Sequence, residues 1–205
     1  MLLNRKILFA IMVFLLVGQV AITRHRPSAS IPSVERRTPS ANSRGPIAAP
    51  PRDWAAFIAI QDYVDRRIPL NLARRDAVAL ERALRGVTTL RESTILRLTD
   101  EPGSRDTTTL ALIERSLSTW LRSIPAGDRV FLTFSGHGLL GDSGELHLAV
   151  RDSILGEAEE TALPISRLLD WTRLSQASSV VLILDCCEAG LAIDEARRLD
   201  QVARS

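Results

Sequence analysis

The sequence predicts an α/β domain, a mainly parallel sheet covered by helices on both faces, preceded by an N-terminal hydrophobic helix and a disordered linker. Two observations carry this expectation. Short apolar runs alternate with helical patterns of roughly 10–15 residues, the signature of crossover units between parallel strands. The runs are also apolar with little alternation, as required of strands covered on both faces.

The elements follow in order along residues 54–205. Ala55–Ile60 is a buried strand. Ala73, Ala77, Leu80 and Leu84 share one helical face, and Gly86 stops that helix. Thr94–Leu98 is a second strand. Asp106 or Thr107 caps a helix whose face is Leu110, Ile113, Leu117, Trp120 and Ile124, ended by Pro125. A turn at Pro125-Ala126-Gly127-Asp128 leads into a strand over Arg129–Phe134. Pro164 suits the first turn of a helix carrying Ile165, Leu168, Leu169 and Leu174. Ser179–Leu184 is the most strand-like segment, and Ile193–Ala203 reads as a last helix.

Two segments precede this body. Residues 1–23 hold Arg5 and Lys6 before an apolar run from Ile7 to Ile22, broken only by Gly18 and Gln19. This is the layout of a signal sequence or a single-pass anchor. No small-x-small cleavage site follows closely, which favours an uncleaved membrane anchor over secretion after cleavage. Arg24, Arg26, Arg36 and Arg37 beyond the run favour a cytoplasmic body, whereas the signal-like order favours the opposite side, so both orientations stay open. Residues 24–53 carry six prolines among Ser, Ala and Arg, the composition of an extended linker without a core.

Charge and cysteine content narrow the function. Residues 1–53 carry eight basic and two acidic side chains, and the rest of the chain 18 basic and 22 acidic. A mildly acidic body with no basic stripe argues against nucleic acid as a partner. Two adjacent cysteines, Cys186 and Cys187, exclude a disulfide framework and any four-thiolate zinc site. A nucleotide-binding domain of flavodoxin type would need a glycine-rich phosphate loop after the first strand, and there is none.

In parallel sheets the chemistry sits beyond the carboxyl ends of the strands. Ser135-Gly136-His137-Gly138 follows one strong strand and Asp185-Cys186-Cys187-Glu188-Ala189-Gly190 follows the last. If the two strands are neighbours, an imidazole and a thiol emerge on one sheet edge. A thiolate nucleophile needs a proton-handling partner and donors for the oxyanion, and this arrangement supplies both.

These two motifs resemble those of the caspase and metacaspase cysteine peptidases, more the metacaspase side. His137 precedes Cys187 by 50 residues, close to the spacing of that family. The resemblance covers residues 55–195. It includes the segment Pro69 to Ala77, where Arg75 replaces the family's Asn, the turn before the histidine strand, and Glu145-Leu146-His147-Leu148 with Arg151-Asp152. It implies Cys187 as nucleophile, His137 as the catalytic histidine, and backbone N–H groups of Gly138 and Cys187 as the oxyanion hole. It further implies cleavage after Arg or Lys, with Asp185 and Asp76 at the positions of the substrate-binding acidic residues, although Arg74 and Arg75 could neutralise Asp76. The expected partner is thus a polypeptide substrate. Calcium dependence occurs among such relatives, but no acidic loop here specifies a site, and no cofactor is expected.

Two departures from the family stand out. Glu188-Ala189-Gly190 stands where the family has His-Ser-Gly, putting a carboxylate beside the thiol. The chain also ends at Ser205, without the small-subunit-like part that completes the groove in relatives. An open sheet edge is the expected consequence, a place for a second copy or a partner chain. The alternative function is therefore a catalytically weak or inactive membrane-tethered binding module. Simpler roles are expected elsewhere. Cys186 is a small buried hydrophobe, His147 a surface residue, and Trp54, Trp120 and Trp171 packing residues.

Overall fold

The computed structural model describes residues 50–101 and 108–202. The expected anchor over residues 1–23 and nearly all of the linker over residues 24–53 lie outside the described residues, as do the expected caps Asp106 and Thr107. No helix among the described residues is long and apolar enough to cross a membrane.

The main sheet has four strands, β1 (Asp53–Ala59), β2 (Ile95–Thr99), β3 (Arg129–Ser135) and β7 (Ser179–Asp185), in the order β2-β1-β3-β7 and all parallel. Between β3 and β7 the chain forms a small antiparallel sheet from β4 (Gly138–Leu140), β5 (Leu146–Leu148) and β6 (Leu163–Pro164), in the order β4-β5-β6. Among the described residues five α-helices accompany them: α1 (Ala73–Val87), α2 (Leu110–Ser123), the single turn α3 (Ala158–Thr161), α4 (Ile165–Leu174) and α5 (Leu191–Val202).

Alternation along β1 sorts the core into two layers, because successive strand side chains point to opposite faces. Ala55 and Phe57 meet Leu80 and Leu84 of α1, and Ala59 meets Ala73 and Ala77 of the same helix. Ala56 and Ile58 join Ile113, Leu117 and Leu121 of α2, Ile165, Leu168 and Leu169 of α4, and Ala192 and Ala196 of α5. One face is thus covered by α1 alone and the other by three helices. That asymmetry leaves Val181 of β7, on the α1 side at the sheet edge, 36% exposed.

Trp54 and Trp120 pack edge to face at 6.1 Å, and Trp171 lies against the larger cluster, as expected of packing residues. His147 corrects the sequence reading. It was expected at the surface but is 3% exposed, because β5 is the central strand of the small sheet and Gly141 and Glu159 close over its ring.

The amino end of the sheet is fastened by a buried carboxylate. Asp53 is fully buried and accepts from Thr89 N (2.7 Å), Thr89 Oγ1 (2.8 Å), Arg129 Nε (2.8 Å) and Arg129 Nη2 (3.0 Å). Burial pushes its pKa up, but the Thr89 and Arg129 donors outweigh that and hold it below the ordinary value. Asp53→Ala strands these donors and is expected to cost about 2–3 kcal/mol, roughly 5–10 °C in Tm. A depressed carboxylate stabilises the fold above its unfolded pKa and loses that contribution as pH falls through the folded value. Asp53→Asn is therefore expected to be less stable than wild type at neutral pH and to lose less on acidification, read by thermal melts across pH 3–7. Parallel acid limbs in the two proteins would contradict this.

Candidate active site

The register of β3 and β7 brings the two motifs together. Ser135 pairs with Asp185 at their carboxyl ends, and Gly136 N donates to the Asp185 carbonyl at 3.2 Å. His137 therefore leaves one strand beside the turn in which Cys187 leaves the next. Cys187 is exposed and Cys186 half-buried. Burial, and then the charges of Cys187 and Asp185, push the Cys186 thiol up to about 12, so Cys186 stays protonated while packing against the core.

The glycines flanking His137 are required by what approaches them. A Cβ on Gly138 would overlap the Cys187 carbonyl oxygen and come within 3.1 Å of Leu146 Cδ1. A Cβ on Gly136 would meet Phe134 Cζ at 2.8 Å and the Tyr63 hydroxyl at 2.9 Å. Backbone thus touches backbone at Gly138 and Cys187, which only glycine permits.

The hairpin also leaves the Gly138 amide free of its ladder. Gly138 pairs with Leu148, and Ala149 N donates to the His137 carbonyl at 2.9 Å. This is the non-hydrogen-bonded type of antiparallel pair, in which the N–H of Gly138 points away from β5.

His137 is held on several sides. Its N–H donates to the Tyr63 hydroxyl at 2.9 Å, its carbonyl accepts from Ala149, and its Nε2 lies 3.4 Å from the Pro69 carbonyl. A carbonyl only accepts, so this contact selects the tautomer with hydrogen on Nε2 and leaves Nδ1 as the basic nitrogen. Tyr63 was not singled out in the sequence, and Pro69 stood there only as the start of a segment resembling the family. They belong to an irregular loop and meet a residue 74 and 68 positions away, a distance no periodicity reports.

The acidic residues also converge. Asp185 ends β7 and accepts from Ser135 Oγ at 3.3 Å. Asp76 stands in the first turn of α1. Partial loss of water and then the charge of Asp185 raise its pKa, outweighing the opposing effect of Arg75. Arg74 does not neutralise Asp76. It donates to the Asp100 carbonyl and to Asp62 Oδ2 (3.2 Å), and lies 3.6 Å from Asp100 Oδ1. Among the described residues neither Asp76 nor Asp185 has an ion-pair partner, and both carboxylates are exposed.

Glu188 adopts a left-handed conformation, φ 58°, directly after Cys187. This sharp bend turns the chain from β7 into α5, and its strain in a non-glycine residue falls where the thiol is presented. Among the described residues no cluster of three or more His, Cys, Asp or Glu could hold a metal ion.

A thiol and an imidazole thus stand at the carboxyl ends of adjoining parallel strands on a caspase-like fold. The chain belongs to the caspase-domain family of peptidases, whose family model matches residues 52–203. Among solved structures it is similar to protein GSU0716 from Geobacter sulfurreducens, with 17% identity and a TM-score of 0.49 over 73% of this chain and 56% of that one. The chain thus spans little more than half the length of that protein. No curated protein matches it.

Proposed function

We propose that the chain is a cysteine endopeptidase of metacaspase type that cleaves polypeptides after Arg or Lys, with Cys187 and His137 as its catalytic dyad. The observation that carries this reading is the meeting of Gly138 with the Cys187 carbonyl across neighbouring strands. It supports the reading by joining the turn that carries an exposed thiol to the turn that carries an imidazole and an amide outside its ladder.

The Cys187 thiolate attacks the scissile carbonyl, and the oxyanion is held by the N–H groups of Gly138 and Cys187. His137, protonated, gives its proton to the departing amine. Water then attacks the acyl-enzyme, returning a proton to His137 and releasing the thiolate. Asp185 and Asp76 receive the guanidinium of the residue before the cleaved bond, a planar cation suited to two carboxylates. Residues 1–23 tether the domain to a membrane in this reading.

An arginyl chloromethyl ketone tests the proposal. Mass spectrometry is expected to find it on Cys187, with free arginine peptide protecting the thiol; a label elsewhere, or none, counts against the dyad. A charge-assisted guanidinium contact contributes about 1.5–3 kcal/mol. Asp185→Ala is therefore expected to lower kcat/KM for Arg peptides about 10- to 100-fold and to leave iodoacetamide alkylation of Cys187 unchanged. An unaltered preference for Arg would remove Asp185 from the pocket.

A further inference from the structure

The strand order β2-β1-β3-β7 reverses direction between β1 and β3, because β1 connects outward to β2 while the chain later continues from β3 to the other edge. Loops leaving the two strands at such a switch point diverge and open a crevice. Here the crevice is filled by one side chain, Tyr63, from the loop after β1.

Tyr63 is 4% exposed. Its hydroxyl accepts the His137 N–H at 2.9 Å, and its ring centroid lies 5.2 Å from the imidazole, tilted by 44°. Gly136 gives the hydroxyl its space, since a Cβ there would stand 2.9 Å from it. Gly136 and His137 lie between β3 and β4, where Gly136 N reaches the Asp185 carbonyl and the His137 carbonyl takes Ala149 N, while the His137 N–H goes to the Tyr63 hydroxyl.

The loop that delivers Tyr63 is itself fastened on both sides. Gln61 N and Asp62 N both donate to Oδ2 of Asp100, a buried residue just beyond β2. Val64 N donates to the Arg151 carbonyl at 2.9 Å, and Arg151 Nη1 to the Asp62 carbonyl at 2.7 Å. The hydroxyl is therefore a fixed point, tied to the sheet rather than to the mobile side of a turn.

We infer that Tyr63 is a positioning residue for His137, pinning its backbone amide and flanking its ring so that the imidazole is oriented for proton delivery. This rests on the peptidase reading above. Burial pushes the Tyr63 phenol above its ordinary value, so it remains a neutral hydroxyl at any working pH. Its effect is accordingly geometric.

The test is Tyr63→Phe, which keeps the ring and removes the acceptor, made in the full chain. A peptide amide needs a proton delivered to its leaving group, whereas an activated ester of the same peptide does not. Expected is a fall of about tenfold in the single-turnover acylation rate on the amide, with KM and single-turnover acylation by the ester each within twofold of wild type, since deacylation, in which His137 takes a proton from water, is common to both. A merely structural role would lower both substrates together. The second readout needs no activity. In nitrogen-labelled histidine NMR spectra, with His137 assigned by the signals lost in His137→Gln, wild type is expected to show a single tautomer protonated at Nε2. Tyr63→Phe is expected to show averaged tautomers. An unchanged His137 spectrum overturns the inference, and so does an equal loss on amide and ester. If wild type hydrolyses neither substrate, the peptidase reading fails and the spectrum alone decides the positioning role.

Discussion

Cys187→Ala is expected to reduce hydrolysis of Arg-containing peptides on the order of 10⁴-fold or more. Loss of a covalent nucleophile removes the acyl-enzyme route altogether, and members of such a unit are not additive. Cys187 is exposed, so removing its sulfur takes little packing with it, and the melting temperature is expected to stay within a few degrees of wild type. The assay is turnover of a fluorogenic Arg peptide by both proteins at matched concentration. Equal signals would assign the activity to a contaminant and leave the chain as a caspase-like binding module. Cys186→Ala supplies the internal control, because a protonated thiol packed against the core offers no second nucleophile.

Gly138→Ala is expected to lower kcat by about 10²–10³-fold, the effect of losing one oxyanion donor. The added methyl overlaps the Cys187 carbonyl oxygen, so either the hairpin beginning at β4 or the turn after β7 must move. Either movement carries an amide away from the developing negative charge. Crowding of this kind also costs roughly 1–3 kcal/mol in stability. Simple alkylation of Cys187 by iodoacetamide requires no oxyanion hole and is expected to stay within a few-fold of wild type. Undiminished turnover by Gly138→Ala would show that the amide is not used, and parallel loss of alkylation would point to general collapse of the turn.

Much of this architecture was legible in the chain. β1, β3 and β7 are written as apolar runs because both of their faces are covered, and the observed strands depart from the expected bounds by a residue or two. The face of α2 was readable because Leu110, Ile113, Leu117 and Trp120 recur at helical spacing; Ile113 and Leu117 are fully buried, and Leu121, beside Trp120, joins them in the core. The two candidate motifs stand out because they follow strong strands and contain glycines. His147 was misread because an alternating Leu-His-Leu triplet describes a half-exposed strand, and nothing local tells that Glu159 and Gly141 lie above it. Arg74 was weighed as a partner of Asp76, two positions away, yet its guanidinium turns to Asp62 and Asp100.

The sequence by itself thus determined the chain order of the four parallel strands and the four longer helices, the two ends on which a thiol and an imidazole stand, and the acidic character of their neighbours. Those properties depend on periodicity within a dozen residues. Tertiary structure alone decided that β3 lies beside β7, that the Cys187 carbonyl meets Gly138, and that Tyr63 and Pro69 enclose His137. Such contacts join residues 49 to 74 positions apart. They exist only once both faces of the sheet have been packed and loops of unrelated sequence are forced into one crevice.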